Sequence, residues 1–268
     1  MKITLSLEEL IYAFYSEGLF EQGNALKATY FQELSDEQMD LLLQVTCRSL
    51  LAKDYLAYSN HKFMLKPEVA AMIGVLHHAD HSLQASKFRE GGGQETLSVH
   101  LAQSGTYAHF LRYEGQVHVV ERLEEGEAAE RLGSFFDLPE LPSAGESVTK
   151  LTQVQLETLL SLIDGQPEEL AEYASNLPGA EKQKEKFLQA LTASKGRMNT
   201  LIGFEFDANN EPIVAEMLMM LGDSSASWMV AKTDEQFFVQ TCSKEALVHK
   251  LSKTIPSFAH KQGGKVNA

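Results

Sequence analysis

Residues 82–122 read SLQASKFREGGGQETLSVHLAQSGTYAHFLRYEGQVHVVER, and apolar and polar residues alternate along most of this stretch. A period of two belongs to strands that bury one face. The spacing predicts four of them, Leu83 to Phe88, Thr96 to Ala102, Tyr107 to Tyr113 and Gln116 to Arg122, separated by Gly91-Gly92-Gly93, Ser104-Gly105 and Glu114-Gly115. Links this short allow only antiparallel neighbours, because a parallel crossover needs a dozen residues or more. The stretch is therefore a four-strand meander.

Working outward, a helix is predicted from Glu125 to Phe136, followed by Pro139 to Ser147, which lacks periodicity and reads as a linker. Beyond it the same order returns. Strands are expected over Thr200 to Phe206, Ile213 to Leu221, Ala226 to Lys232 and Gln236 to Thr241, closed by a helix from Ser243 to Thr254. Arg112 to Val119 can be laid without gaps on Lys232 to Val239, and the pattern Leu156 to Leu160 on Leu7 to Ile11. The expected fold is α+β with two related halves, each holding helices and an antiparallel four-strand meander. The divisions are 1–138 for the first half, 139–148 for the linker, 149–256 for the second half and 257–268 for a flexible tail.

Helices precede each meander. Ser6 with Glu9, Ser35 with Gln38, and Thr152 with Gln155 have the spacing of capping boxes, and Pro67 opens a further helix. Helices are also predicted over Pro167 to Asn176 and Ala180 to Ser194. Tyr55 to Leu65 alternates about Ser59-Asn60 and predicts a hairpin. Helix, helix and hairpin is also the order of a winged helix, so a transcriptional regulator is an alternative. Asp36, Glu37 and Asp40 at the start of the would-be recognition helix repel phosphate.

The 268 residues carry 37 acidic against 23 basic side chains, a net charge of −14, which argues against nucleic acid and anionic membranes as partners. No apolar run reaches the roughly 20 residues that span a bilayer, and the chain starts without a signal-peptide pattern, so a cytoplasmic location without membrane insertion is expected. Cys47 and Cys242 are too few for a disulfide framework. His77-His78-Ala79-Asp80-His81 reads as a helix end, where histidines meet the last carbonyls, and no metal is assigned to it. The triple glycine lacks the lysine and hydroxyl of a phosphate loop. No nucleophile elbow, zinc-protease or kinase signature occurs, so no catalytic residue and no cofactor is assigned, and an enzyme of unrecognised type is a further alternative.

Met217, Met219 and Trp228 in the second meander, with Leu247 and Leu251 in the closing helix, are the expected partner-binding residues. Methionine and aromatic side chains suit a surface that accommodates varied helices.

Ile3 to Leu10, the helix after Lys66-Pro67-Glu68, the strand Leu97 to Ala102, and Tyr107 to Arg112 followed by Phe135 to Pro139 resemble the EspG family in element order and hydrophobic pattern, over most of residues 1 to 255. The family comprises cytosolic chaperones of ESX, or type VII, secretion systems. The resemblance implies a quasi-two-fold α+β fold around a central antiparallel sheet, no catalytic residues, and a helical secreted protein as the bound substrate. Lysine far outnumbers arginine here, so the PE and PPE substrates of the mycobacterial members are not carried over.

Overall fold

The computed structural model describes residues 1–59, 61–89, 92–140, 145–165, 168–207, 210–222 and 226–260, with side chains described as far as Pro256 in the last helix. Asn60 of the expected turn, Gly91, Pro167, part of the linker and the tail beyond 260 lie outside these residues.

The first half runs β1 (Lys2–Ser6), α1 (Leu7–Ser16), α2 (Phe20–Tyr30), α3 (Asp36–Ala52), β2 (Leu56–Ser59), β3 (Lys62–Leu65), α4 (Pro67–His78), β4 (His81–Phe88), β5 (Gln94–Ala102), β6 (Gly105–Arg112), β7 (Val117–Leu123) and α5 (Glu127–Phe135). The second runs β8 (Ser147–Thr152), α6 (Gln153–Gly165), α7 (Leu170–Ser175), α8 (Glu181–Ala193), β9 (Asn199–Phe206), β10 (Pro212–Gly222), β11 (Ser227–Thr233), β12 (Gln236–Thr241) and α9 (Lys244–His260).

Ten strands form one antiparallel sheet in the order β1-β7-β6-β5-β4-β9-β10-β11-β12-β8, and β2 and β3 pair separately. This order is its own mirror about the β4–β9 junction, where His81 faces Glu205 and Ser86 faces Thr200. Two antiparallel neighbours related by an axis normal to the sheet keep their faces in common. The duplicated fold expected from the meanders is therefore present, with both meanders joined edge to edge.

Three features were not legible in the periodicity. β1 and β8 are edge strands of five and six residues directly in front of the capping boxes, too short to declare a period. β8 starts inside the expected linker, where Val148 is fully buried. α2 has no sharply apolar face, and Gly23 is its one buried residue.

One sheet face carries both helical bundles. Over the first half, Ile3, Leu5, Leu10, Leu50, Ile73, Tyr107 and Val120 form a core. Over the second, Leu151, Leu159, Phe187, Leu191, Trp228, Val230 and Val239 do so. The other face is crossed centrally by α5 and α9, which bury Leu83, Val99, Leu132, Leu218, Met220, Leu247 and Leu251. A methyl placed at Gly133 of α5 would stand 2.4 Å from Val248 of α9, so these two helices need glycine to approach so closely.

The gapless overlay of Arg112–Val119 on Lys232–Val239 is corrected by the register. The ladders end at Arg112–Val117 in one hairpin and at Thr233–Gln236 in the other, so the first turn is longer by two residues, with Tyr113, Glu114 and Gly115 all at positive φ. Arg112 then corresponds to Thr233, and Val120 to Val239, each of which faces the equivalent residue of its edge strand, Ile3 or Thr149. A one-residue slip reverses every side chain across a sheet, which is why the hydrophobic pattern alone misled the overlay. Likewise, the capping boxes match Leu10 to Leu156, a three-residue shift from the pattern match that stays on the same helix face.

Candidate protein-binding site

The five expected partner-binding residues do not share one surface. Trp228 is 2% exposed on β11, with its ring 6.0 Å from that of Phe187 under α8. Leu247 and Leu251 are 0% and 1% exposed, because they form the inward stripe of α9 against the sheet. These three sit in the core and offer nothing to a partner. The aromatic and apolar character that suggested contact serves packing instead. Met219 packs against the second-half core, and Met217, two residues earlier on the same face, is half-buried.

Exposed apolar residues lie just beyond Met217. Ile213 and Val214 at the start of β10 are more than half exposed. They pair with Glu205 and Phe204 of β9, but the ladder of β10 with β11 begins only at Leu218. The segment from Pro212 to Met217 thus has a free edge among the described residues, and its register shifts between Val214 and Glu216. Glu216 is held from the far face by Lys250 of α9 at 3.1 Å. This projecting edge was not singled out from sequence, although adjacent Ile213 and Val214 after a proline carry the signal.

The histidines divide in two. His77 and His78 end α4 with rings 4.3 Å apart, His77 meeting Gln22 at 2.9 Å, whereas His81 begins β4. Among the described residues no group of three His, Cys, Asp or Glu side chains is placed to hold a metal.

A row of histidines that the sequence reading passed over runs diagonally across the first meander, beneath the helical face. Ser82 Oγ lies 2.8 Å from His100 Nδ1, the His100 and His109 ring centroids are 6.0 Å apart, and His109 Nε2 lies 2.9 Å from His118 Nδ1. Their nine-residue spacing in the sequence was the available signal, since each hairpin step of that length returns to the same face. Burial pushes His100 and His118 down to about 4, and pushes His109 well below its ordinary value with a further push from the neighbouring rings. His118 is buried and His100 and His109 are half-buried on the face that carries the first helical bundle, and their lowered pKa values keep the three rings neutral at pH 7. Cys242 is likewise a buried thiol, raised to about 11 by desolvation, and Cys47 is buried and free.

The architecture and these surfaces can be set beside known proteins. Residues 2–251 match the family model described as "Uncharacterised protein YfjC". The chain belongs to the YfjC family. A relative in Bacillus subtilis (strain 168), YfjC itself, is 36% identical over 254 residues, which span 94% of this chain and 99% of the relative. Among solved structures, this YfjC-family chain is similar to the Mycobacterium tuberculosis type VII secretion system chaperone EspG5, solved in complex with a PE25–PPE41 dimer. The TM-score is 0.61 over 96% of each chain, with 9% sequence identity. At that identity the likeness is one of fold, and the EspG-like α+β fold expected from the sequence is present. No helix among the described residues of this YfjC-family chain is long and apolar enough to cross a membrane.

Proposed function

We propose that this YfjC-family protein is a cytoplasmic, non-enzymatic chaperone or adaptor that binds a helical secretion substrate of a type VII, ESX-like system. The observation that supports this most is the likeness in fold to EspG5 across nearly the whole of both chains, since a shared local motif would not extend so far.

The contact region begins at Met217 and Met219 and extends to Ile213 and Val214, where an apolar strand edge is open to receive the apolar stripe of a helical hairpin. Such anchors concentrate binding energy in a few side chains. Co-expression with a small helical protein encoded beside this gene is expected to give a co-purifying complex. Ile213→Asp with Val214→Asp should abolish it while leaving the thermal midpoint unchanged. A complex that survives both substitutions sinks this placement of the site. Failure to bind any neighbouring helical secreted protein sinks the chaperone reading.

A further inference from the structure

On the face crossed by α5, the flank over β5, β6 and β7 is left open and holds a cleft of about 240 Å³. Its floor is apolar, formed by Leu97, Ala108, Phe110 and Val119. Its rim is cationic. Arg112 lies with its guanidinium carbon 5.4 Å from the Phe110 ring centre, Lys2 comes from the edge strand β1, and Arg131 comes from α5. Glu121 is the one carboxylate in the lining and is taken by Arg131 at 3.4 Å. Lys2 and Arg112 are exposed and make no ion pair among the described residues. Two free cations beside an apolar floor stand out in a chain of net charge −14.

The duplication supplies an internal control. Following the register, the positions of Phe110, Arg112 and Glu121 are occupied in the second half by Ala231, Thr233 and Gln240, and Gln240 faces Ser147 where Glu121 faces Lys2. Those three positions hold neither charge nor ring there; the ring on that flank is Phe238, at the position of Val119, with Lys150 over it. The architecture therefore does not require an arginine over Phe110 beside Lys2 and Glu121, and that arrangement belongs to the first half.

We propose that this cleft receives an acidic amphipathic segment of the protein partner, an apolar side chain seated on Phe110 and Val119 with a neighbouring carboxylate meeting Arg112 and Lys2. This rests on the partner-binding reading above and adds a second contact on the opposite sheet face. The size selects the occupant: about 240 Å³ is below the roughly 300 Å³ at which pockets for whole small-molecule ligands begin, but it holds one anchoring side chain. The charge selects its sign, because an arginine fork beside an apolar floor matches a carboxylate and repels a lysine.

The test uses the full chain and two probes of equal size and opposite charge, 3-phenylpropionate and 3-phenylpropylammonium, followed by backbone amide NMR. The carboxylate is expected to shift the amides of Ala108, Phe110 and Val119 saturably in the millimolar range, as befits so small a ligand. The ammonium should leave them unmoved. Arg112→Glu should weaken carboxylate binding at least tenfold, whereas Lys150→Glu, which alters the exposed cation over Phe238 on the other flank, should not. Equal shifts with both probes, or shifts that persist in Arg112→Glu, overturn the proposal. With the co-expressed partner, retention by wild type and loss by Arg112→Glu supports it. Equal retention by both removes the cleft and leaves the chaperone reading standing. Selective carboxylate binding with no helical partner found overturns the partner segment as occupant and the chaperone reading together.

Discussion

The two halves share a frame and differ in what fills it. In the first, the face beneath the helices carries His100, His109 and His118. At the corresponding register the second carries Leu221, Val230 and Phe237, all buried in its core. The capping boxes differ in the same sense. Glu9, 2% exposed, caps α1 through the Ser6 amide and also accepts from Ser49 of α3 at 2.7 Å and from Lys53, just past the end of α3, at 2.6 Å. Its counterpart Gln155 is neutral and reaches only the Thr152 amide. In the first half a buried carboxylate links α1 to the end of α3, and the side chain at the matching position of the second half makes no such link. A duplicated frame thus fixes which positions are inside, not what chemistry fills them.

Acid should separate the halves most. Both His100 and His118 have folded pKa values near 4, below the ordinary 6.5, so the unfolded chain takes up protons first. Their contribution is complete above about pH 6.5 and is lost as pH falls towards 4, on the order of 3 kcal/mol for the His118 ring alone. Urea unfolding at several pH values, with hydrogen exchange to locate the weakened half, should show the first meander opening first. His118→Phe, which adopts the residue of the other half, should flatten the profile. An unchanged slope would break the comparison.

Next in size is Gly179, which enters α8 at φ +120° with a would-be Cβ 2.1 Å from the Val148 carbonyl oxygen of β8. Gly179→Ala combines a backbone conformation that side chains avoid with a clash against main chain, and should cost about 3 kcal/mol. The denaturation midpoint reads it. A near-neutral variant would mean that β8 is not held by this approach.

The capping boxes give the smallest and sharpest contrast. Glu9→Ala removes a cap and leaves Ser49 and Lys53 without their shared acceptor, an expected loss of about 2–3 kcal/mol. Gln155→Ala loses an exposed neutral contact and should cost about 0.5–1 kcal/mol. Equal losses would show that the buried carboxylate adds nothing beyond capping.

How far each part was legible follows from the range of the interactions involved. Both meanders, the capping boxes at Ser6, Ser35 and Thr152, and the α+β duplication were readable, because alternation and capping act over a few residues. The overlay of the halves was misread at the turn after Arg112, where two extra residues change the register without changing the pattern. Among the expected binding residues, Trp228, Leu247 and Leu251 were misjudged, since an apolar side chain looks the same in a sequence whether it packs or protrudes.

The sequence by itself determined the local periods, the caps, the acidic field and the repetition of element order. Tertiary structure decided that ten strands join in one sheet through β4 and β9, that the edge of β10 runs free past Met217, and that Lys2, Arg112 and Arg131 gather around Phe110. These depend on which strands become neighbours and in what register, and a pairing between residues more than a hundred positions apart leaves no periodicity in either segment.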